Sequence, residues 1–314
     1  MKYILKKSFT LIITLLLVSM VTFGAFSIIP GNIAITRLGQ NATPERIAAL
    51  EAELGLDRPV AERYVDWLLN AIRGDFGESY QYSGVPVSDL LLERLPVTAI
   101  LTAMSLILIL VISIPLGLLA ARKEGSVIDT AVNLLTQVTM AIPAFFLGML
   151  ITFVFGLVLK WFQPGKFVMP QEDLAGCVIY LIFPAIAIAL PKIAMVVKFL
   201  RNSVLSEVGK DYVWTARSKG NREGRVLVSH VLRNAMIPVI TFIAIVVAEI
   251  IANSIVVEQV FSVNGVGRLL VTAISNRDYP IVQAVVMYIT AAVVLINFII
   301  DILYQVVDPR VRTE

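Results

Sequence analysis

The chain has 314 residues, of which 58% are hydrophobic and only 16% are charged, whereas an ordinary soluble domain is about 45–50% apolar and about 25% charged. This composition, with a mean hydropathy of +0.84, argues against a soluble globular protein. A single cysteine and a single histidine exclude an internal disulfide and a zinc or iron–sulfur centre built within the chain, and a net charge of +3 is too small to indicate nucleic-acid binding.

Six apolar stretches are long enough to cross a hydrocarbon layer of about 30 Å as helices of about 20 residues. Each is predicted to be helical, because lipid cannot satisfy the hydrogen bonds of an open backbone and none alternates as a barrel strand does. The first follows three lysines but exceeds the apolar region of a signal peptide, so we interpret it as a retained helix. The stretches are residues 9–29, 97–121, 132–159, 178–200, 236–257 and 281–307.

The segment between the first two spans, residues 30–96, is predicted to form helices of its own. Thr43 and Gly55 are placed to begin and end one helix, and Asp57 and Gly74 to begin and end a second. Each helix carries one apolar stripe at helical spacing. The stripes either pack on each other and on the ends of the membrane helices, or form a cap that contacts an external partner.

The distribution of Lys and Arg beside the spans predicts that both termini are cytoplasmic. With the N-terminus inside, the cytoplasmic segments carry 15 Lys and Arg, and the short outer loops carry four. The long first outer loop has little weight in the positive-inside rule, which therefore favours this orientation.

Prolines and glycines recur inside the predicted spans. In a helical bundle they allow kinks and close helix approach, which suits a pathway that opens and closes. They are Pro115, Gly117, Pro143, Gly148, Pro184, Pro191 and Pro238.

Candidate catalytic residues are missing from the sequence. The only histidine, His230, and the only cysteine, Cys177, lie on opposite sides of the membrane in the predicted topology, so neither supplies a nucleophile with an adjacent base. The phosphate-binding pattern G-x-x-x-x-G-K-[ST] is absent, and Gly265-x-Gly267 is interpreted as a turn. We expect no catalytic residue, metal or cofactor in this chain.

The 34-residue cytoplasmic segment between the fourth and fifth spans, residues 202–235, is the most informative part of the sequence. Its first part is predicted to be a helix that Gly220 ends, and a second helix is predicted over 226–234. The composition fits a solvated basic face. An apolar and aromatic stripe amid the charges favours the alternative, a docking surface for a cytosolic protein. This stripe consists of Val204, Val208, Tyr212 and Ala216.

Residues 211–220, Asp-Tyr-Val-Trp-Thr-Ala-Arg-Ser-Lys-Gly, resemble the cytoplasmic loop of binding-protein-dependent ABC importer permeases, in the variant typical of the dipeptide, oligopeptide and nickel permease family. Trp214-Thr215-Ala216 stands where the general importer form has Glu-Ala-Ala. The resemblance covers nearly the whole chain. Further segments that resemble the family, in its order and spacing, are residues 54–59, 73–77, 91–96, 256–261, 276–280 and 308–312.

The resemblance implies an all-α polytopic membrane protein with six transmembrane helices, similar to type I ABC importer permeases. Residues 1–29 would form the cytoplasmic N-terminus and first helix, 30–96 a small extracytoplasmic helical domain, and 97–314 the permease core. A second permease subunit would complete the pathway, and an extracytoplasmic binding protein would deliver the substrate. Two cytosolic ABC ATPases, which bind ATP and Mg, would dock on a coupling loop that contains Asp211, Tyr212, Thr215, Ala216, Arg217 and Gly220.

The implied function is ATP-driven uptake of peptides, or of a related small solute, across a prokaryotic cell membrane by alternating access. A nickel-chelate permease of the same family is one alternative. An ion-coupled secondary transporter is another, and it predicts buried carboxylate or histidine relays. A polytopic membrane enzyme is a third. Membrane lipid is an expected partner, and nucleic acid is not.

Lys192 and Glu249 are the deepest ionisable residues in the predicted spans. A lone charge near the bilayer centre costs roughly 2.5–3.5 kcal/mol, so each is expected to face a partner or a wet cavity. Their backbones differ in depth by roughly 9 Å, and their side chains lean towards each other because the two spans run in opposite directions. We hypothesise that they pair and line the pathway, against the alternative that each is satisfied separately.

Overall fold

The fold is taken from a computed structural model, which describes residues 2–28, 38, 42–53, 55, 57–82 and 84–307. Within these ranges the ordered elements are helices, and a single β-bridge joins Glu78 to Pro86. The resemblance segment 308–312 lies outside the described residues. The helices are α1 (Lys2–Ile28), α2 (Pro44–Glu53), α3 (Val60–Ile72), α4 (Val87–Arg122), α5 (Val127–Ala141), α6 (Ala144–Val158), α7 (Leu174–Val208), α8 (Asp211–Ser218), α9 (Glu223–Val260), α10 (Val266–Ser275) and α11 (Tyr279–Val307).

The described part of the chain has five helices long and apolar enough to cross a membrane, namely α1, α4, α7, α9 and α11, or six if α5 and α6 together make one span. The predicted third span, 132–159, is therefore not one straight helix: α5 and α6 meet at a bend of 94°. Pro143 lies at the break, and Ile142 before it is extended, with ψ 121°. A residue that precedes proline avoids the helical region, which explains where the span breaks.

The other prolines singled out in the spans lie inside continuous helices. Close helix approach at glycine is confirmed at two positions. A Cβ on Gly117 would lie 3.0 Å from Leu200, and one on Gly148 would lie 3.1 Å from Phe261. The prolines that lie inside continuous helices are Pro115 in α4, Pro184 and Pro191 in α7, and Pro238 in α9.

One compact unit comprises the described residues of Met1–Leu95 and Leu269–Val294. Within it the apolar stripe of α3 packs on α1: Tyr64 lies 5.6 Å from Phe23 between ring centroids, and its hydroxyl is 2.8 Å from the Ser19 hydroxyl. Packing of this stripe on a membrane helix is thus confirmed. The predicted cap at Asp57 is wrong, because Pro59 occupies the capping position of α3 and no side chain caps the helix.

The helix ends predicted in residues 30–96 mostly agree with the structure. The Thr43 hydroxyl accepts a hydrogen bond from the Arg46 N–H at 3.4 Å, so Thr43 caps α2 as predicted. Gly55 and Gly74 have φ of +62° and +86°, the left-handed conformation that ends a helix. Residues 30–37, between the first span and these helices, lie outside the described part of the chain.

The second unit comprises the described residues of Pro96–Arg268 and Leu295–Glu314. Its core lies between α7 and α9, which run antiparallel, with residues from α4, α5 and α6 packed around them. Small side chains on α7 let the helices approach closely, as in other membrane bundles. The largest fully buried side chains of this core are Leu101, Ile109, Leu181, Ile188, Ile250 and Phe261.

Two boundaries differ from the sequence prediction between the fourth and fifth spans. The helix predicted through Val204 and Ala216 is interrupted: α7 ends at Val208, Gly209 follows, and Lys210 is extended before α8 begins. The helix predicted over 226–234 is continuous with the fifth span as α9, in which Val226–Val231 form a π-helical turn. No helix-ending residue separates the segment 226–234 from the fifth span, so the helical backbone hydrogen bonds continue from one into the other.

Candidate functional site

The helix α8 carries most of the predicted coupling residues, and its apolar side faces its own chain. Val213 is fully buried and Ala216 is 7% exposed, in a cluster with Leu200 and Val204 of α7 and Val231 of α9. The predicted docking stripe therefore belongs to the protein's own core, and Ala216 does not lie on an exposed face. The stripe was misassigned because apolar spacing shows which side of a helix is buried, and not what buries it.

The exposed side of α8 is formed by residues between those buried positions. Asp211 and Thr215 are exposed, and the Trp214 side chain is 60% exposed. The Arg217 guanidinium lies 5.4 Å from the centroid of the Trp214 ring, a cation–π contact between two side chains of α8. Tryptophan and arginine are both enriched among the residues that contribute most of the binding energy at protein interfaces.

The turn after α8 is closed by specific polar contacts. Gly220 has φ +75°, as its predicted role in ending the helix requires. Arg217 Nε donates to a Glu223 carboxylate oxygen at 2.7 Å, and the Asn221 amide donates to the Ala216 carbonyl at 3.0 Å. These contacts fasten α8 to the first turn of α9.

Tyr212 joins α8 to the end of α7. Its hydroxyl donates to a Glu207 carboxylate oxygen at 2.7 Å, and Lys210 binds the other oxygen of the same carboxylate. Burial, together with the neighbouring carboxylate, raises the pKa of the Tyr212 hydroxyl, which therefore remains a hydrogen-bond donor. Tyr212 is thus a structural link between α7 and α8, whereas its predicted contact with an ATPase remains a prediction.

Lys192 of α7 and Glu249 of α9 form an ion pair, as hypothesised from the sequence. The Lys192 side chain is 11% exposed and the Glu249 side chain is 39% exposed, so the pair is open on the glutamate side. Lys192 Nζ also lies 3.8 Å from the Met195 sulfur. That the pair lines a pathway remains a prediction.

A buried carboxylate that the sequence analysis missed lies at the other end of α9. Glu258 is fully buried and accepts hydrogen bonds from the Thr98 hydroxyl at 2.7 Å and from the Arg268 N–H at 3.1 Å. Gly265, in the bend just before α10, lies so close to this carboxylate that a Cβ there would collide with it. The turn predicted at Gly265-x-Gly267 is only partly right, because Gly265 lies in a bend whereas Gly267 lies in the first turn of α10, which begins at Val266. The two closely spaced glycines that follow Glu258 in the sequence were the available signal.

A second ion pair was also missed, at the ends of α5 and α7. Arg201 binds both carboxylate oxygens of Asp129, each at 2.6 Å, and the Asp129 side chain is 6% exposed. The Gly125 N–H and the Asn133 amide donate to the same carboxylate. Arg201 lies in α7, Asn133 in α5 and Gly125 in the turn before α5, so this cluster links α5 to α7.

The described residues contain no group of three or more His, Cys, Asp or Glu side chains that could hold a metal ion. His230 is exposed on the π-helical turn of α9, and Cys177 is buried in α7. The two side chains lie on different helices.

The chain matches two family descriptions along its length. The family described as the inner membrane component of binding-protein-dependent transport systems matches residues 113–313, and the N-terminal part of such membrane components matches residues 1–102. Similar proteins include a probable peptide ABC transporter permease of Sinorhizobium fredii, 34% identical over 99% of both chains. Others are a putative peptide transport system permease of Brucella abortus, 37% identical over 99% of both, and the oligopeptide transport system permease AppB of Bacillus subtilis, 35% identical over 99% of both.

Proposed function

Because the chain belongs to the family of inner membrane components of binding-protein-dependent transport systems, we propose that it is the peptide-conducting permease subunit of an ABC importer. Family membership removes the secondary transporter and the membrane enzyme as alternatives, and it makes the chain a multi-pass membrane protein whose role is translocation. The peptide substrate is proposed because relatives of 34–37% identity are named peptide or oligopeptide permeases.

The geometry of α8 supports a role in coupling to ATPase subunits. Its buried side, Val213 and Ala216, packs on α7 and α9, while Trp214 and Thr215 remain open. A helix fixed on one side and open on the other can be displaced only together with the helices that it packs on. ATP-driven closure of two docked ATPases, which would bind ATP and Mg themselves, would therefore move α7 and α9.

The proposal includes an orientation and further subunits. The excess of Lys and Arg on one side favours cytoplasmic termini in a prokaryotic cell membrane, and this orientation would put α8 on the side where ATP is available. A second permease subunit would complete the pathway, and an extracytoplasmic binding protein would present the peptide. The remaining alternative of this family, nickel-chelate uptake, predicts nickel accumulation in place of peptide uptake.

Replacement of Trp214 by Ala tests the docking role. We expect a normal amount of the variant in the membrane, because the Trp214 side chain makes its contacts outside the core. The amount of ATPase that co-purifies with the variant should be at least tenfold lower than with the wild type. Val228→Ala is the matched control, since Val228 is 54% exposed on the neighbouring π-helical turn. Equal ATPase recovery from both variants would contradict docking on α8.

Uptake of labelled oligopeptide by the wild-type complex tests the proposed substrate.

A further inference from the structure

We propose that Lys192 and Glu249 bind the two charged termini of a peptide in transit, Glu249 holding the terminal ammonium and Lys192 the terminal carboxylate. The inference rests on the proposed function, because it requires a peptide as the transported solute. A partly open Lys–Glu ion pair lies between α7 and α9, at mid-depth of the bundle and two helical turns from a stacked pair of phenylalanine rings.

The depth and exposure of the pair indicate that its open side does not face lipid. Glu249 is 11 residues from the end of α9 at Val260, which is about 16 Å, or about half the thickness of a hydrocarbon layer. Its side chain is 39% exposed there. An ionised carboxylate in contact with hydrocarbon at that depth is strongly disfavoured, so the exposed part must face water, polar protein groups or a polar solute.

A second layer follows the ion pair on the same faces of α7 and α9. Phe199 stacks on Phe242 with ring centroids 4.3 Å apart and planes within 9°. Each phenylalanine is seven residues from the charged residue of its own helix, nearly two full turns or about 10.5 Å. Along this face, the charged layer of Lys192 and Glu249 is followed by the aromatic layer of Phe199 and Phe242. The phenylalanine rings offer no ionic partner to a solute that is bound at the two charged side chains.

A zwitterionic peptide can replace this ion pair without leaving any charge alone. In the free protein the two side chains form one ion pair with each other. In the loaded protein they would form two ion pairs, Lys192 with the peptide carboxylate and Glu249 with the peptide ammonium. A solute that lacks one terminal charge would leave one of the two side chains unpaired at depth, which is costly. The site therefore favours peptides with both termini free over peptides with one terminus blocked.

A purely structural ion pair is the competing interpretation, and the two interpretations separate experimentally. Uptake of one tripeptide in its free, N-acetylated and C-amidated forms is compared in proteoliposomes with the complete importer. The same binding protein serves every variant, so its own preference cancels in the ratios. We expect Glu249→Gln to reduce uptake of the free peptide about tenfold, the loss expected for one charge-assisted hydrogen bond. The uptake rate of the free peptide divided by that of the N-acetylated peptide should also move closer to one.

For Lys192→Met, we expect instead that the uptake rate of the free peptide divided by that of the C-amidated peptide moves closer to one. Lys198→Met, the same replacement at an exposed position of α7, should change neither ratio. A reciprocal pattern of this kind assigns one terminus to each side chain. Loss of folded protein alone would lower all three uptake rates together and leave the ratios unchanged.

The exchanged variant Lys192→Glu with Glu249→Lys retains an ion pair but reverses its polarity. We expect it to assemble and hydrolyse ATP, with uptake of free peptide still about tenfold below the wild type. Wild-type uptake by this variant, or unchanged ratios in both single variants, would overturn the inference and leave the proposed function standing. If the wild-type importer takes up no peptide, the proposed function fails and this inference fails with it.

Discussion

Glu258 shows how a buried carboxylate is accommodated between apolar helices by hydrogen bonds. Hydrogen bonds from the Thr98 hydroxyl and the Arg268 N–H replace the water that the carboxylate would otherwise bind. Thr98 also accepts a hydrogen bond from the Val266 N–H at 2.9 Å, so α4, α9 and the first turn of α10 meet at one carboxylate. The site is a structural junction whose close packing requires glycine.

Gly267→Ala should destabilise the protein by about 1–3 kcal/mol, the usual cost of forcing extra volume into a packed site. The added Cβ would collide with the Ile255 backbone and lie 2.9 Å from the Glu258 carboxylate. Gly224→Ala is the control, because a Cβ there meets no atom within 4 Å and alanine favours a helix. Thermal unfolding in detergent measures the stability of both variants, and equal unfolding midpoints would show that position 267 tolerates a side chain.

The Asp129–Arg201 pair provides a second test at the residue scale. Arg201→Lys keeps the charge but cannot bind both carboxylate oxygens at once, so we expect a loss of about 1–3 kcal/mol. Arg201→Met should cost more, about 3–5 kcal/mol, because it leaves a nearly buried carboxylate without its cation. A lysine variant as stable as the wild type would mean that the paired geometry contributes nothing.

Among the helices, α8 offers the clearest distinction between residues needed for folding and residues proposed to contact the ATPase. Ala216→Asp should reduce the amount of folded protein by placing a charge in the cluster with Leu200 and Val231, at a cost of about 3–5 kcal/mol. Thr215→Asp, one position earlier and exposed, should leave folding intact and weaken ATPase recovery. Both are measured as folded protein by size-exclusion chromatography and as recovered ATPase. Normal folding of the Ala216 variant would contradict the burial of this face.

Gly220→Val tests the turn after α8. Its φ of +75° is costly for a branched side chain, so we expect about 1–3 kcal/mol of strain that loosens α8 from α9 and lowers uptake. Gly209→Val is the control, because Gly209 has φ −80° and open space around it. Uptake that falls equally in both variants would indicate a general effect of valine in this region.

The sequence predicted the elements better than their boundaries. Length and hydropathy identified the five helices of the described residues that are long and apolar enough to cross a membrane, and also the region of the bent pair α5 and α6, because the thickness of a hydrocarbon layer sets the length of such helices. Pro143 was recognised as a possible kink, but a bend of 94° depends on how α5 and α6 pack and is not encoded in one residue. The continuity of α9 was missed because Val226–Val231 lies in a charged segment, which composition alone suggests is separate from a span.

The candidate site was predictable to the same partial extent. The Lys192–Glu249 pair followed from depth and helix direction, because two opposite charges in an apolar environment have few alternatives. Glu258 and Asp129 were missed because each lies near the end of an apolar stretch, where a charge normally reaches water. Trp214 was noted only as a departure from the family pattern, and its exposure depends on the burial of Val213 and Ala216.

At the scale of the whole molecule, the proposed orientation can be tested with single cysteines. With Cys177, which is buried, replaced by alanine, Gln163→Cys should react with an impermeant maleimide added to intact cells. Ser218→Cys, at the end of α8, should react only after the membrane is permeabilised. Both positions are exposed, so a difference in labelling reports the side of the membrane. Labelling of Ser218→Cys in intact cells would reverse the orientation.

The continuity of α9 has a mechanical consequence for the whole molecule. Glu249 lies about 20 residues, or about 30 Å, from the middle of the π-helical turn Val226–Val231. If α9 tilts by about 6° around that turn, Glu249 moves sideways by about 3 Å, the length of one hydrogen bond. A rotation too small to disturb the packing of the helix ends would thus be large enough to part Glu249 from Lys192, provided that α7 does not tilt with it.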